Sequence, residues 1–178
     1  AGSIAAGALD EVSKIVKPGI STNEIDKTCY EYINDHKAYS APLYYRGFPK
    51  SCCTSVNHVV CHGIPSEKIL KDGDIMNVDV TALKEGWHGD TSRMFKVGEV
   101  SVKAEKLIQT TYEAMMKAIK VVKDGVLLGD IGSAIQSHVE SNGFSVVQDF
   151  CGHGIGQSFH QEPNVLHYGK KGTGEKIK

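Results

Sequence analysis

Residues 74–97 run DIMNVDVTALKEGWHGDTSRMFKV, two stretches of alternating apolar and polar residues separated by Lys84-Glu85-Gly86. Alternation with period two is strand patterning, and the glycine-bearing break is a turn. The segment therefore predicts a hairpin with strands at 74–83 and about 87–97. Within Asn77-Val78-Asp79-Val80-Thr81 the apolar residues at 78 and 80 mark the even face as buried, and Asp79 lies in mid-strand. A two-residue turn at Lys84-Glu85 pairs residue i with residue 169 − i and sets Asp79 directly opposite Asp90. A four-residue loop with the same centre keeps that pairing, whereas an odd loop sends the two acids to opposite faces. Facing Cβ atoms lie ~4.5–5.5 Å apart, and like charges so placed repel. Half-buried, the pair either shares a proton with one pKa raised or holds a cation, and a divalent ion removes the repulsion. Two ordinary acids on a solvated face is the alternative. The mid-strand position of Asp79 weighs against it, because an unpaired carboxylate is costly to bury.

Outward from the hairpin the chain reads as a repeat. Ile4, Ala8, Leu9, Val12 and Ile15 share one face of an opening helix, which Pro18-Gly19 stops. Ser21 and Glu24 form a capping-box pattern for a second helix carrying Ile25, Cys29 and Ile33. Ser40–Pro49 reads as a loop, 51–60 as a strand, and Cys61-His62-Gly63-Ile64-Pro65 as a turn. Beyond the hairpin, Ile108, Tyr112, Met115, Ile119 and Val122 mark a long helix. A further helix with Ile131, Ile135 and Val139 ends at Gly143, in the left-handed stop position. Val16-Lys17-Pro18-Gly19 aligns with Val122-Lys123-Asp124-Gly125 at an offset of 106, and the same offset superposes Ile25, Cys29 and Ile33 on Ile131, Ile135 and Val139. Each helix pair leads to a strand and then a His-Gly-Ile turn, at His62 and at His153. This order describes a duplicated helix–helix–strand unit, with halves at about 1–98 and 99–178 of a single domain. The first half follows its His-Gly-Ile turn with the hairpin. The repeat predicts a partner hairpin beyond Lys178, so the chain reads as a fragment with an incomplete second half.

Composition bounds the function classes. A chain of 178 residues that is 40% hydrophobic and 23% charged is sized and composed for one globular domain. Its net charge of −1 gives no basic field for nucleic acid or an anionic membrane. No apolar run reaches the ~18 residues of a membrane span. Five scattered cysteines, an odd number without a CxxC pair, argue against a disulfide framework and for a reducing, cytoplasmic setting.

His62, His153 and His160 sit in glycine- or proline-bordered segments, Cys-His-Gly-Ile-Pro, Cys-Gly-His-Gly-Ile-Gly and Ser-Phe-His-Gln-Glu-Pro. Flanking glycines let the backbone approach closely or take positive φ, a means of aiming a ring into a cavity. Taken singly, each is an ordinary surface or hydrogen-bonded histidine. Together with two carboxylates they make a donor set for Mn, Fe, Co or Zn. His36, His58, His88, His138 and His167 lack that context and read as structural.

At this point the segments resemble a family. Asn77–Thr81, His88–Ser92, Gly152–Gly156 and Phe159–Pro163 are similar, in order, to the signature segments of type I methionine aminopeptidases. Tyr45–Ser51 and Cys61–Pro65 resemble that family's substrate-side segments, and the likeness runs through the whole chain. The resemblance implies an α+β pita-bread fold (creatinase/aminopeptidase-like) with two pseudo-symmetric halves and two divalent metal ions per complete site. It implies that Asp79 chelates one metal, that Asp90 bridges both and that His153 binds the other. His160 would contact the scissile carbonyl or tetrahedral intermediate, and His62 would lie beside the substrate amide. Tyr45, Phe48, Cys53 and Phe159 would line the methionine pocket, where a thioether favours aromatic and sulfur neighbours. Phe48 stands where many relatives have tyrosine, and Pro42 where some have cysteine.

The family places two further glutamate ligands, one of them its general base, on strands outside these 178 residues. The expectation is therefore metal-dependent removal of N-terminal methionine from nascent chains near the ribosome, impaired in this chain, with one metal or none bound. An open sheet edge would favour self-association. The alternatives are a non-catalytic pita-bread module that binds peptides or proteins, and a proline-specific peptidase of the same fold. The retained Asp79, Asp90 and His153 oppose the first. The short segment from Cys61 to Asp79, together with Tyr45–Ser51, opposes the second.

Overall fold

A computed structural model describes residues 1–177. The chain divides into two compact units, Ala1–Ser101 with Ile155–Phe159, and Val102–Gly154 with His160–Lys178.

In the first unit, helix α1 (Gly2–Ile15) buries Ala5, Ala8, Leu9 and Val12 and stops ahead of Pro18 and Gly19, where φ is 94°. Helix α2 (Thr22–Asp35) opens on the expected capping box: Ser21 Oγ accepts from Glu24 N at 3.2 Å, and Ser21 N donates to Glu24 Oε2 at 2.8 Å. Reciprocal satisfaction of two orphan donors starts the helix at that residue. Ile25, Cys29 and Ile33 form its fully buried stripe.

Four strands follow: β1 (Tyr39–Ser40), β2 (Cys53–Val56), β3 (Ile75–Lys84) and β4 (Trp87–Lys96). Strand β3 is central and all pairings are antiparallel. It takes β4 along its whole length on one edge, and β2 and then β1 on the other. Met76, Val78, Val80 and Ala82 point from β3 into the core with Leu9, Val12, Ile25, Ile33 and Leu70. Burying each such aliphatic side chain contributes roughly 1.5–3 kcal/mol against chain entropy.

The hairpin forms with a register different from the expected one. Its turn is Glu85-Gly86, with φ 52° and 81°, and Lys84 pairs with Trp87. Two consecutive positive φ values are those of a type I′ turn, which glycine accepts at its second position. Residue i therefore pairs with residue 171 − i, so Asp79 faces Ser92 and Asp90 faces Thr81. The shift is two residues, which preserves parity and leaves both acids on one face as diagonal neighbours. Two other segments differ from expectation. The strand read over 51–60 is confined to Cys53–Val56, and β1 lies at the edge of the segment read as a loop.

The second unit repeats the helical frame. Helix α3 (Val102–Val121) packs against α4 (Leu128–Ser141), which has the same length as α2 and begins 106 residues after it. Gly125 (φ 84°) answers Gly19, and Gly143 takes the stop position with φ 83°. The bonds around these glycines repeat too. Gly19 N donates to Leu70 O (2.8 Å) and Leu70 N to Ile20 O (2.9 Å), while Gly125 N donates to Ile177 O (3.0 Å) and Ile177 N to Val126 O (2.8 Å).

Beyond the helices the two units diverge. The residues between α4 and Cys151 form no strand, and His153 lies in strand β5 (Gly152–Gly154), not in a turn. This strand pairs antiparallel with β6 (Gln161–Val165) through a register shift at His153/Gly154. A side chain at Gly154 would collide with the Glu162 backbone, so glycine there permits the pairing. Among the described residues no helix is long and apolar enough to cross a membrane.

Candidate metal and substrate site

The hairpin brings Asp79 and Asp90 together, and Asp79 also pairs across its other edge with Cys53. Asp79 is half-buried and Asp90 exposed. Burial first, then the charge of Asp90 and a hydrogen bond with it, push the Asp79 carboxyl up to about 7. Cys53 is pushed up to about 12 by burial and then by Asp79, Cys61 and Asp90. Burial and then Asp79 raise the Cys61 thiol. Asp79, Cys53 and Cys61 thus each resist ionising, and a nearby positive charge would favour their ionised forms. Carboxylates beside a half-buried strand fit a divalent ion, which would relieve all these shifts at once.

His153 is half-buried, and its Nδ1 lies 2.9 Å from the Gly154 carbonyl oxygen. A ring nitrogen that donates to a backbone carbonyl leaves Nε2 as the acceptor nitrogen, the tautomer of a metal ligand. Its ring packs on that of His160 with centroids 4.3 Å apart. The sequence-expected ligands are thus gathered as an acid pair in the first unit and a histidine pair in the second. Among the described residues, no group of three or more His, Cys, Asp and Glu side chains forms a single metal-holding cluster.

Of the residues expected on the substrate side, Tyr45, Phe48, Cys53, His62 and Phe159 lie in the first unit and His160 in the second. The Phe159 ring meets Tyr45 edge-on at 4.9 Å and stacks parallel on His88 at 5.4 Å. Tyr45 begins a short 3-10 turn, Tyr45–Gly47, in which Tyr44 and Arg46 have φ of 66° and 50°. The Arg46 guanidinium lies over the Tyr45 ring at 5.3 Å, and the half-buried Phe48 accepts from Tyr44 N through its carbonyl at 2.7 Å. His62 is exposed with φ 55°. Its neighbour Gly63 lies flat on β2, accepting from Thr54 N at 2.7 Å and donating to Ser55 Oγ at 3.1 Å.

His88, read from sequence as structural, stands beside the expected substrate-side aromatics. Its backbone N donates to the Gly156 carbonyl at 2.8 Å, its Nδ1 lies 3.1 Å from the same oxygen, and its ring carries Phe159. A signal was present. His88 stands two residues before Asp90, so strand alternation places both on one face.

The sequence model of metallopeptidase family M24 matches residues 1–178. The methionine aminopeptidase of Rickettsia prowazekii is 56% identical over 178 residues, covering all of this chain and 69% of the relative. That of Escherichia coli strain K12 is 53% identical, again over the whole chain and 68% of the relative. The crystal structure of the Rickettsia prowazekii enzyme superposes with a TM-score of 0.99, covering all of this chain and 72% of that one. The methionine aminopeptidase of Thermotoga maritima, 38% identical, superposes at 0.98 with the same coverage. The duplicated helix frame and the central hairpin are thus those of the pita-bread fold, and the chain belongs to metallopeptidase family M24, in its type I methionine aminopeptidase branch.

Proposed function

We propose that this chain recognises an N-terminal methionine and directs its hydrolytic removal, with Asp79, Asp90 and His153 as metal ligands. The observation that carries the reading is the paired hairpin acids, with Asp79 held near pH 7 by burial and by Asp90. A divalent ion of the Mn, Fe, Co or Zn kind, two in a complete site, supplies Lewis acidity and a water that ionises near neutral pH. The chain's own residues do the rest. Tyr45, Phe48, Cys53 and Phe159 receive the thioether side chain and exclude water from it. His160 holds a proton at the scissile carbonyl oxygen, and His62 donates to or accepts from the substrate amide. His153 Nδ1, engaged with Gly154 O, orients the ring for ligation through Nε2.

These 178 residues supply three of the expected ligand side chains, Asp79, Asp90 and His153. Substrates are nascent chains and peptides with a small second residue, met near the ribosome in a reducing cytoplasm. The apolar residues exposed along α3 and just past it, Tyr112, Met115, Ile119 and Val122, favour self-association. Titration with Co²⁺, followed by its visible absorption, tests the ligand set. Asp79→Asn, Asp90→Asn and His153→Ala should each weaken binding at least tenfold. Equal binding by wild type and all three variants would sink the proposal.

A further inference from the structure

The segment that carries Tyr45 and Phe48 is fastened at its downstream end by one carboxylate on α2. Asp26 Oδ1 accepts from Ser51 N at 2.8 Å, Ser51 Oγ at 2.6 Å and Cys52 N at 3.2 Å. The Asp26 carbonyl also lies 3.1 Å from Ser51 Oγ. The surroundings are closed: the Asp26 side chain is 14% exposed and Ser51 2% exposed. Lys50 Nζ stands 4.0 Å from Asp26 Oδ2 and donates to Asn23 Oδ1 at 2.7 Å, while Asn23 donates to Glu67 at 2.5 Å. One residue past this clamp, Cys53 begins β2 opposite Asp79. At the upstream end, Ala41 N donates to Thr81 O at 2.9 Å.

Residues 42–52 therefore hang between a backbone bond to β3 and the Asp26 carboxylate. Their turn holds Tyr44 and Arg46 at positive φ, conformations that side-chain-bearing residues keep only where the surroundings over-determine them. A charge-assisted cluster at the downstream end of the loop contributes to that constraint. Substrate contacts depend on placement to well under an ångström, so the clamp acts on affinity through the residues it places.

We propose that Asp26 is a positioning residue for the methionine pocket: it sets where Tyr45, Phe48 and Cys53 stand, without touching substrate or metal. The inference rests on those three residues lining the pocket. Its consequence is selective. Loss of the clamp weakens recognition of the methionine side chain and leaves the Asp79–Asp90 hairpin intact, because β3 and β4 pair independently of residues 42–52.

The test measures binding of L-methionine to the 178-residue chain by NMR, following the ring resonances of Tyr45 and Phe159, with Mn²⁺ affinity measured in parallel. Asp26→Ala should weaken methionine at least tenfold and shift both rings in the free protein, while Mn²⁺ affinity changes less than twofold. Asp26→Asn, which keeps an acceptor for the two N–H groups, should recover binding to within about threefold of wild type. Ser51→Ala, which spares the carboxylate, should fall between, and it keeps the test valid if Asp26→Ala fails to fold. Unchanged methionine affinity in Asp26→Ala or, where that variant does not fold, in Ser51→Ala overturns the proposal. So does an equal loss of methionine and Mn²⁺ binding, which marks global damage. A wild-type chain that shows no methionine-dependent change at Tyr45 or Phe159 instead refutes the pocket reading, and the inference falls with it.

Discussion

The two units share a helical frame at an offset of 106 residues and differ in what that frame covers. Leu9 on α1 is 1% exposed, whereas Met115, its equivalent on α3, is 48% exposed. The first helix lies on the β3–β4 hairpin. Among the described residues, the second unit contains only the short β5–β6 pair, and α3 buries Thr110, Ala114 and Ala118. The glycine stops and the length of the second helix of each pair are local properties and repeat. Burial belongs to the partner surface and does not.

The largest effect expected from this contrast is in side-chain truncation. Leu9→Ala should cost roughly 2–5 kcal/mol, the range for a buried leucine that leaves a cavity. Met115→Ala should cost less than about 1 kcal/mol, as an exposed site does. Urea unfolding of the two variants measures the difference, and similar losses would mean that the α3 face is covered in solution.

The next contrast is electrostatic. In the metal-free chain Asp79 titrates at about 7 when folded, against an ordinary carboxylate value of 3.8. A raised folded pKa gives stability that is complete below the unfolded value and lost as pH climbs through the folded one. The chain should weaken from about pH 4 to about pH 7, by at most about 4 kcal/mol at ~1.4 kcal/mol per unit. Asp130 in the second unit has the opposite sign. Backbone N–H groups of Gly172 and Leu127 lower its pKa, so its contribution is present above the unfolded value and lost on acidification. Stability measured against pH should lose its neutral slope in Asp79→Asn and part of its acid limb in Asp130→Asn. A neutral slope that survives Asp79→Asn counts against the paired-acid geometry.

The smallest difference lies at the helix starts. Ser21 offers Oγ to Glu24 N, while Leu127, at the matching position, has no acceptor in its side chain and relies on Asp130 accepting from Leu127 N at 3.1 Å. Ser21→Ala should cost about 1 kcal/mol. Hydrogen exchange at Glu24 N reports it directly, and unchanged protection there would show that the cap is dispensable.

Much of this was legible in the sequence, for reasons that differ by element. The capping box at Ser21, the stops at Gly19, Gly125 and Gly143, and the pairing of helices at a fixed offset are written in side-chain chemistry within one turn of the residue concerned. That Asp79 and Asp90 share a face was also legible, since an even turn preserves parity. Their register was not. The choice between Lys84-Glu85 and Glu85-Gly86 depends on which two residues take positive φ, and the glycine at position 86 was the available clue. The stack on His88 was not legible either, because a histidine mid-strand has no local context until Phe159, some 70 residues on, meets it. The strand containing His153 was misread as a turn because its partner, β6, has no strong alternation of its own.

By itself, the sequence determined the helix boundaries, the duplication and the identity of the acids and imidazoles, because periodicity, capping and residue type act over a few neighbouring residues. Only the tertiary structure decided the diagonal register of Asp79 and Asp90, the aromatic stack on Phe159 and the hold of Asp26 on Ser51 and Cys52. Those contacts join residues far apart in the chain. Their free energy comes from burial and paired polar groups that exist only once the strands and α2 have packed together.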